Sequence, residues 1–198
     1  MAHEILWRQL TELNPEDTAA RAKCRYLQDH DRYVVTMLNV DYVVSLSDRQ
    51  IFRDQTAPAG FTEQLCLLAY LINAQDLPFA DKLVKAEALP SGQFFFRGLH
   101  SLPTEKLERA FGKHPERLRQ AAEKFDAKRC EFGDVSIQLY VLPRIPLTLV
   151  VWGRCDEFPA RASILFDQTA AAHMPLDALL AAANLAVDAV IKASEQSS

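Results

Sequence analysis

The run Leu147-Thr-Leu-Val-Val-Trp152 constrains this chain more than any other feature. It is apolar but for one threonine and is bounded by Pro146 and Gly153. A run of that length and composition reads as a strand buried on both faces, in the middle of a sheet. It therefore needs strands on both sides and a layer of structure over it. The sequence supplies candidates nearby. From Glu131 to Tyr140, and on to Val141, the residues Phe132, Val135, Ile137, Leu139 and Val141 are set against polar partners, as in a half-buried strand. Pro143-Arg144-Ile145-Pro146 joins the two runs as a sharp bend, and Ala162–Phe166 is a further short strand.

The N-terminal half reads as helices, then a hairpin. Ala2–Leu13 carries Ile5, Leu6, Leu10 and Leu13 at helical spacing. Asn14-Pro15-Glu16-Asp17 stops that helix and starts another to Cys24: Asn14 caps, Pro15 suits the first turn, and the acids favour the positive helix end. Strands are expected at 33–38, 41–46 and 50–52, with turns at Asn39-Val40 and Ser47-Asp48. After Pro58-Ala59-Gly60, Phe61–Ala74 is apolar nearly all round and should lie buried as a helix. Leu77–Leu102 is irregular, with a short strand near Lys82–Lys85. Long segments of this kind tend to be functional or to hold short elements of their own. Helices follow at 103–111, 115–125 and 175–193, and Glu195–Ser198 should fray. The fold class expected is α+β: one antiparallel or mixed β-sheet flanked by α-helices. It should form a single compact domain over 1–198, with an N-terminal helical segment over 1–25.

Charge and cysteines bound the function. The net charge of −4 argues against bulk electrostatic binding of nucleic acid. Arg109, Lys113, His114, Arg117, Arg119 and Lys124 cluster in sequence, but interleaved glutamates make that stretch a solvated helix face. Cys24, Cys66, Cys130 and Cys155 are scattered without a C-x-x-C, so no zinc or iron–sulfur site is expected. The start MAHEILWRQL does not read as a secretory signal, and no apolar run is long enough to span a bilayer. A cytoplasmic protein with reduced thiols follows. Phosphate-loop, dinucleotide, serine-hydrolase and zincin motifs are missing from the sequence.

Two segments carry the candidate site. Ser91–Leu102, SGQFFFRGLHSL, puts three phenylalanines before Arg97-Gly98-Leu99-His100. Aromatic faces at Phe94 and Phe96 can hold a flat ring, Arg97 offers a planar donor fork for an anion, and His100 offers an imidazole. Trp152–Asp167, WGRCDEFPARASILFD, holds Arg154, Asp156, Glu157 and Arg161 in a loop between strands, with Asp167 at a strand end. Arg144, fixed between prolines, can steer an anion or bury an ion pair. His173-Met174 before the last helix is a weaker pair, since no partner spacing marks it as a metal site. Each group also has a plain structural role open to it: core filling, ion pairing or capping.

The spans LPSGQFFFRGLHSLPTEKLERAFG, YVLPRIPLTLVVWGRCDEFPARASILFD and HMPLDAL resemble the domain-of-unknown-function family DUF3786. The resemblance runs from Tyr33 to the last helix. It implies membership of a family found mainly in anaerobic bacteria and archaea, some of whose members carry an added cysteine-rich iron–sulfur segment that this chain does not show. It transfers no catalytic residue. The functional reading is a ligand-binding or accessory protein. The ligand expected is planar and anionic, with a tetrapyrrole such as haem or a corrinoid as the sharpest version. Its site would draw on Phe94, Phe96, Arg97, His100, Arg144, Glu157, Arg161 and Asp167. One alternative is a small enzyme pairing His100 with Glu157 or Asp167 as acid and base. Another is a protein-interaction module marked by an exposed apolar patch. Nothing in the sequence fixes the oligomeric state.

Overall fold

The computed structural model describes residues 3–196. In chain order its elements are α1 (Glu4–Thr11), α2 (Pro15–Arg21), β1 (Arg25–Leu27), β2 (Arg32–Met37), β3 (Val40–Ser45), β4 (Gln50–Arg53), β5 (Ala57–Pro58) and α3 (Phe61–Asn73). Then come β6 (Leu83–Lys85), α4 (Gly92–Phe95), α5 (Thr104–Phe111), α6 (Glu116–Ala122), β7 (Lys128–Cys130), β8 (Val135–Leu142), β9 (Ile145–Trp152), β10 (Arg161–Asp167), α7 (Ala170–His173) and α8 (Leu176–Glu195). The expectations at Ala2 and at Ser197 and Ser198 fall outside the described residues.

The fold is α+β, but the strands form two antiparallel sheets rather than one. The first is a meander, β1-β2-β3-β4-β5. Its β2–β3 turn lies at Leu38-Asn39, one residue earlier than the sequence suggests. Both residues have positive φ (49 and 64), as a two-residue turn of matched twist requires. The second sheet runs β6-β10-β9-β8-β7. The sheets stay separate because each hairpin pairs with its sequence neighbour, and Pro58–Gly60 and α3 interrupt the chain between them. They meet where β2 packs near β8 and the Leu38 amide donates to the Val141 carbonyl at 3.0 Å.

β9 is the central strand, buried at every position except Trp152. The β8–β9 hairpin turns through Pro143-Arg144, and a register shift between Tyr140 and Leu142 marks a bulge. Pro146 sits beside that bulge, opposite Tyr140, where its missing N–H is tolerated. β6 pairs only with Leu165–Asp167. Among the described residues, the outer edge of Arg161–Ile164 therefore carries no strand.

Helices cover the rest. α5 and α6 lie on the second sheet, and α8 packs against α3, α5 and α6. Alanines 178, 182, 183 and 186 on α8 are fully buried, which lets the helix backbones approach closely. α3 has Cys66–Leu71 buried, as its composition requires. Its main neighbours are α8 and α1 rather than a sheet face. Asn14 caps α2 as expected, accepting from the Asp17 amide at 3.0 Å. Among the described residues, no helix is long and apolar enough to cross a membrane.

Candidate functional site

Two of the candidate residues are built into the scaffold. The Arg144 side chain is 3% exposed. Its guanidinium donates to the Arg21 carbonyl at the end of α2, to the Leu77 carbonyl at 2.7 Å, and to Asp76, whose own side chain is mostly solvated. It thus ties the β8–β9 turn to the segment after α3 and to α2. Asp167, at the end of β10, is buried. One of its oxygens accepts from the Thr169 hydroxyl at 2.6 Å, the Thr169 amide at 2.9 Å and the Ala80 amide at 3.2 Å. Burial alone pushes this carboxyl up. The hydrogen bonds from Thr169, Ala80 and Asp81 outweigh it and hold the group below the usual 3.8.

His173 belongs to the same buried cluster. Its Nδ1 accepts from the Gln75 amide at 3.2 Å, while Nε2 has no partner among the described residues. Burial lowers its pKa below the usual 6.5, and nearby Arg144 and Lys23 lower it further against the pull of Asp167. The unfolded chain takes up a proton near 6.5 that the folded ring resists, so stability falls as pH drops below about 6.5. Asp167 adds a second loss at lower pH, as the medium falls below its ordinary value. The melting temperature should decline by several degrees between about pH 8 and about pH 5, and His173→Gln should flatten the upper part of that decline. A decline unchanged in His173→Gln would assign it to other groups.

The aromatic loop divides. Phe96 is buried, with its ring 6.4 Å from that of Phe166 on β10. Phe94 is 74% exposed and Leu99 fully exposed. Arg97 and His100 are both exposed, and the His100 ring stacks flat on Phe95 at 4.6 Å. Neither Arg97 nor His100 forms an ion pair with an acid among the described residues. Arg161 and Asp167 stand at opposite ends of β10, roughly 20 Å apart along an extended strand. The eight candidate residues therefore do not form one cluster.

Arg161 instead lines a groove along the uncovered edge of β10. The groove encloses about 710 Å³, within the range of small-molecule sites. Trp152 and Phe158, 40% and 60% exposed, and Pro159 give it aromatic and apolar walls. Lys85 and Arg161 bring positive charge. Its two carboxylates are engaged: Glu108 of α5 accepts from the Ala162 amide at 3.0 Å, and Asp134 from the Gly153 amide at 2.7 Å. Among the described residues, Lys85 and Arg161 have no counter-ion. A hollow of about 230 Å³ continues the groove toward Phe96, sharing Lys85, Ala162 and Ser163 with it.

The wall is held in place by packing. The loop after β9 docks on the α5–α6 corner, where the Arg154 amide donates to the Gly112 carbonyl at 2.9 Å. A Cβ on Gly153 would stand 2.9 Å from Pro115 Cγ, so this approach needs glycine. The Cys155 amide donates to the Phe158 carbonyl at 3.0 Å and closes the loop's tip. Glu157 is exposed on that loop but does not line the groove. The sequence alone did not single out Lys85, Glu108 or Asp134. Their only signal is the gap that β6 leaves on β10, which is a tertiary fact. Among the described residues, no group of three His, Cys, Asp or Glu side chains is placed to hold a metal ion.

The profile of the domain of unknown function DUF3786 matches residues 14–189. The chain belongs to the DUF3786 family. No curated protein and no solved structure matches it. Both halves of the groove wall, Glu108 and the 152–163 segment, lie inside the DUF3786 match.

Proposed function

We propose that this DUF3786 protein is a binding protein for a planar anionic small molecule, held in the groove along β10. One observation carries the reading. The acids of the groove are tied to backbone amides, while Lys85 and Arg161 are left for an external anion beside Trp152 and Phe158. An aromatic wall takes the ring face, and a guanidinium takes a carboxylate through paired N–H groups. Haem and a corrinoid, macrocycles with acidic or amide side chains, are the first probes. Four free thiols support a reducing, cytoplasmic setting.

Fluorescence tests this directly, because the chain has two tryptophans in opposite settings: Trp7 is fully buried and Trp152 partly exposed. Saturable quenching by haem or the corrinoid is expected. Trp152→Phe should remove most of the change, and Lys85→Ala with Arg161→Ala should weaken binding by about tenfold or more. Quenching that never saturates, or that survives the charge variants unchanged, would sink the reading.

Exposed Phe94 and Leu99 favour a second reading, in which the Arg97 loop contacts a protein partner. Native mass spectrometry of the protein from its own host separates the two. A retained small molecule supports the groove, and a retained subunit supports the loop.

A further inference from the structure

We propose a second binding site, in the cleft between the tip of the first sheet and α8, that takes a medium-chain aliphatic carboxylate. The cleft encloses about 480 Å³ and shares no residue with the β10 groove. Its apolar walls are mostly aliphatic: Met37, Leu38 and Val40 come from the β2–β3 hairpin, and Leu185 and Ala189 from α8, with Tyr42 and Phe125 as the aromatic members of the lining. A flexible hydrocarbon can follow walls of such mixed shape.

The hairpin wall of the cleft is held in place by hydrogen bonds. The hairpin tip is pinned to the second sheet by the Leu38 amide, which donates to Val141 at 3.0 Å. The Asn39 amide group donates to the Asp126 carboxylate at 2.9 Å and fixes the same tip from the other side. Binding then loses little to ordering the walls.

Charge decides the head group. Glu63 accepts from the Tyr42 hydroxyl at 2.5 Å and from the Gly60 amide at 2.6 Å, which occupies both of its oxygens. Asp188 pairs with Lys106 at 2.7 Å. Among the described residues, Arg53 and Lys192 have no ion pair, and Lys124 meets only neutral oxygens, those of Gln196 at 3.3 Å and Ala193 at 3.5 Å. Three cations, Arg53, Lys124 and Lys192, thus border a mostly aliphatic pocket in which Asp188 is ion-paired and Glu63 is hydrogen-bonded. An anionic head fits the rim, and each methylene buried behind it should raise affinity about fourfold.

The test is calorimetric titration of the full chain with decanoate, hexanoate and decanol, each kept below its aggregation limit. Decanoate should bind saturably at a single site, hexanoate much more weakly, and decanol at least about tenfold more weakly than decanoate. Arg53→Gln with Lys192→Gln should weaken decanoate by about tenfold or more. Both side chains are exposed, so this arm does not depend on refolding the core. Ala189→Phe, on a half-buried wall position, should block binding while thermal unfolding stays near that of the wild type. Trp152 fluorescence should not respond to decanoate, which separates this site from the groove. Decanol binding as tightly as decanoate, unchanged affinity in the charge variant, or no saturable binding would each overturn the proposal.

Discussion

Arg144→Ala should lower stability by about 2–4 kcal/mol, seen as a fall in melting temperature of roughly 5–15 °C. The guanidinium is buried and donates to two backbone carbonyls and one carboxylate. Truncation leaves the Arg21 and Leu77 carbonyls without this donor and opens a void at the β8–β9 turn. Unmet buried polar groups, more than the lost ion pair, set the size of the effect. Asp76→Asn is the control. That carboxylate's side chain is 83% exposed, so the change should fall within about 1 kcal/mol. Arg144→Lys should rescue only in part, because an ammonium cannot reproduce the planar fork. An Arg144→Ala protein that melts with the wild type would show that the turn and the segment after α3 hold together without this side chain.

Gly92→Ala should be of similar size, about 2–4 kcal/mol, for a different reason. An added Cβ would run into the Ala86 carbonyl oxygen, and that oxygen is backbone, so no side chain can swing aside. The segment closes tightly there: the Leu89 amide donates to Ala86 at 3.1 Å and the Gly92 amide to Leu89 at 2.8 Å. Relief of the clash must move Leu89 or Phe96, both in the core. Gly98→Ala separates crowding from backbone strain. Gly98 has φ +57 but nothing within 4 Å of the new atom, so it should lose only about 1 kcal/mol. Equal losses at the two sites would refute the crowding argument, and denaturant titration reads both.

Much of the fold was legible because its signals are local. The apolar run at 147–152 became the central strand, and the all-round apolar stretch after Gly60 became a buried helix. β7, three residues of Lys-Arg-Cys, went unseen because neither face carries an apolar pattern. The separation into two sheets was also hidden, since hairpin patterns say which strands are adjacent but not where one sheet ends. For the candidate site, the Trp152–Asp167 segment contains Arg161, which lines the groove, whereas Arg144 and Asp167 drew notice for the same charge and rigidity that a scaffold tie requires.

The sequence by itself determined the kind and order of the main elements, the core strand, the Asn14 cap and the family, because each rests on spacing within a few residues. Only the tertiary structure decided which charges remain available. Glu108 is spent on the Ala162 amide 54 positions away, and Arg144 on the Arg21 carbonyl 123 positions away. Among the described residues, Lys85 and Arg161 form no ion pair, and both border the groove. Whether a charged side chain is structural or available depends on which distant backbone groups folding leaves within hydrogen-bond reach, and no local pattern records that distance.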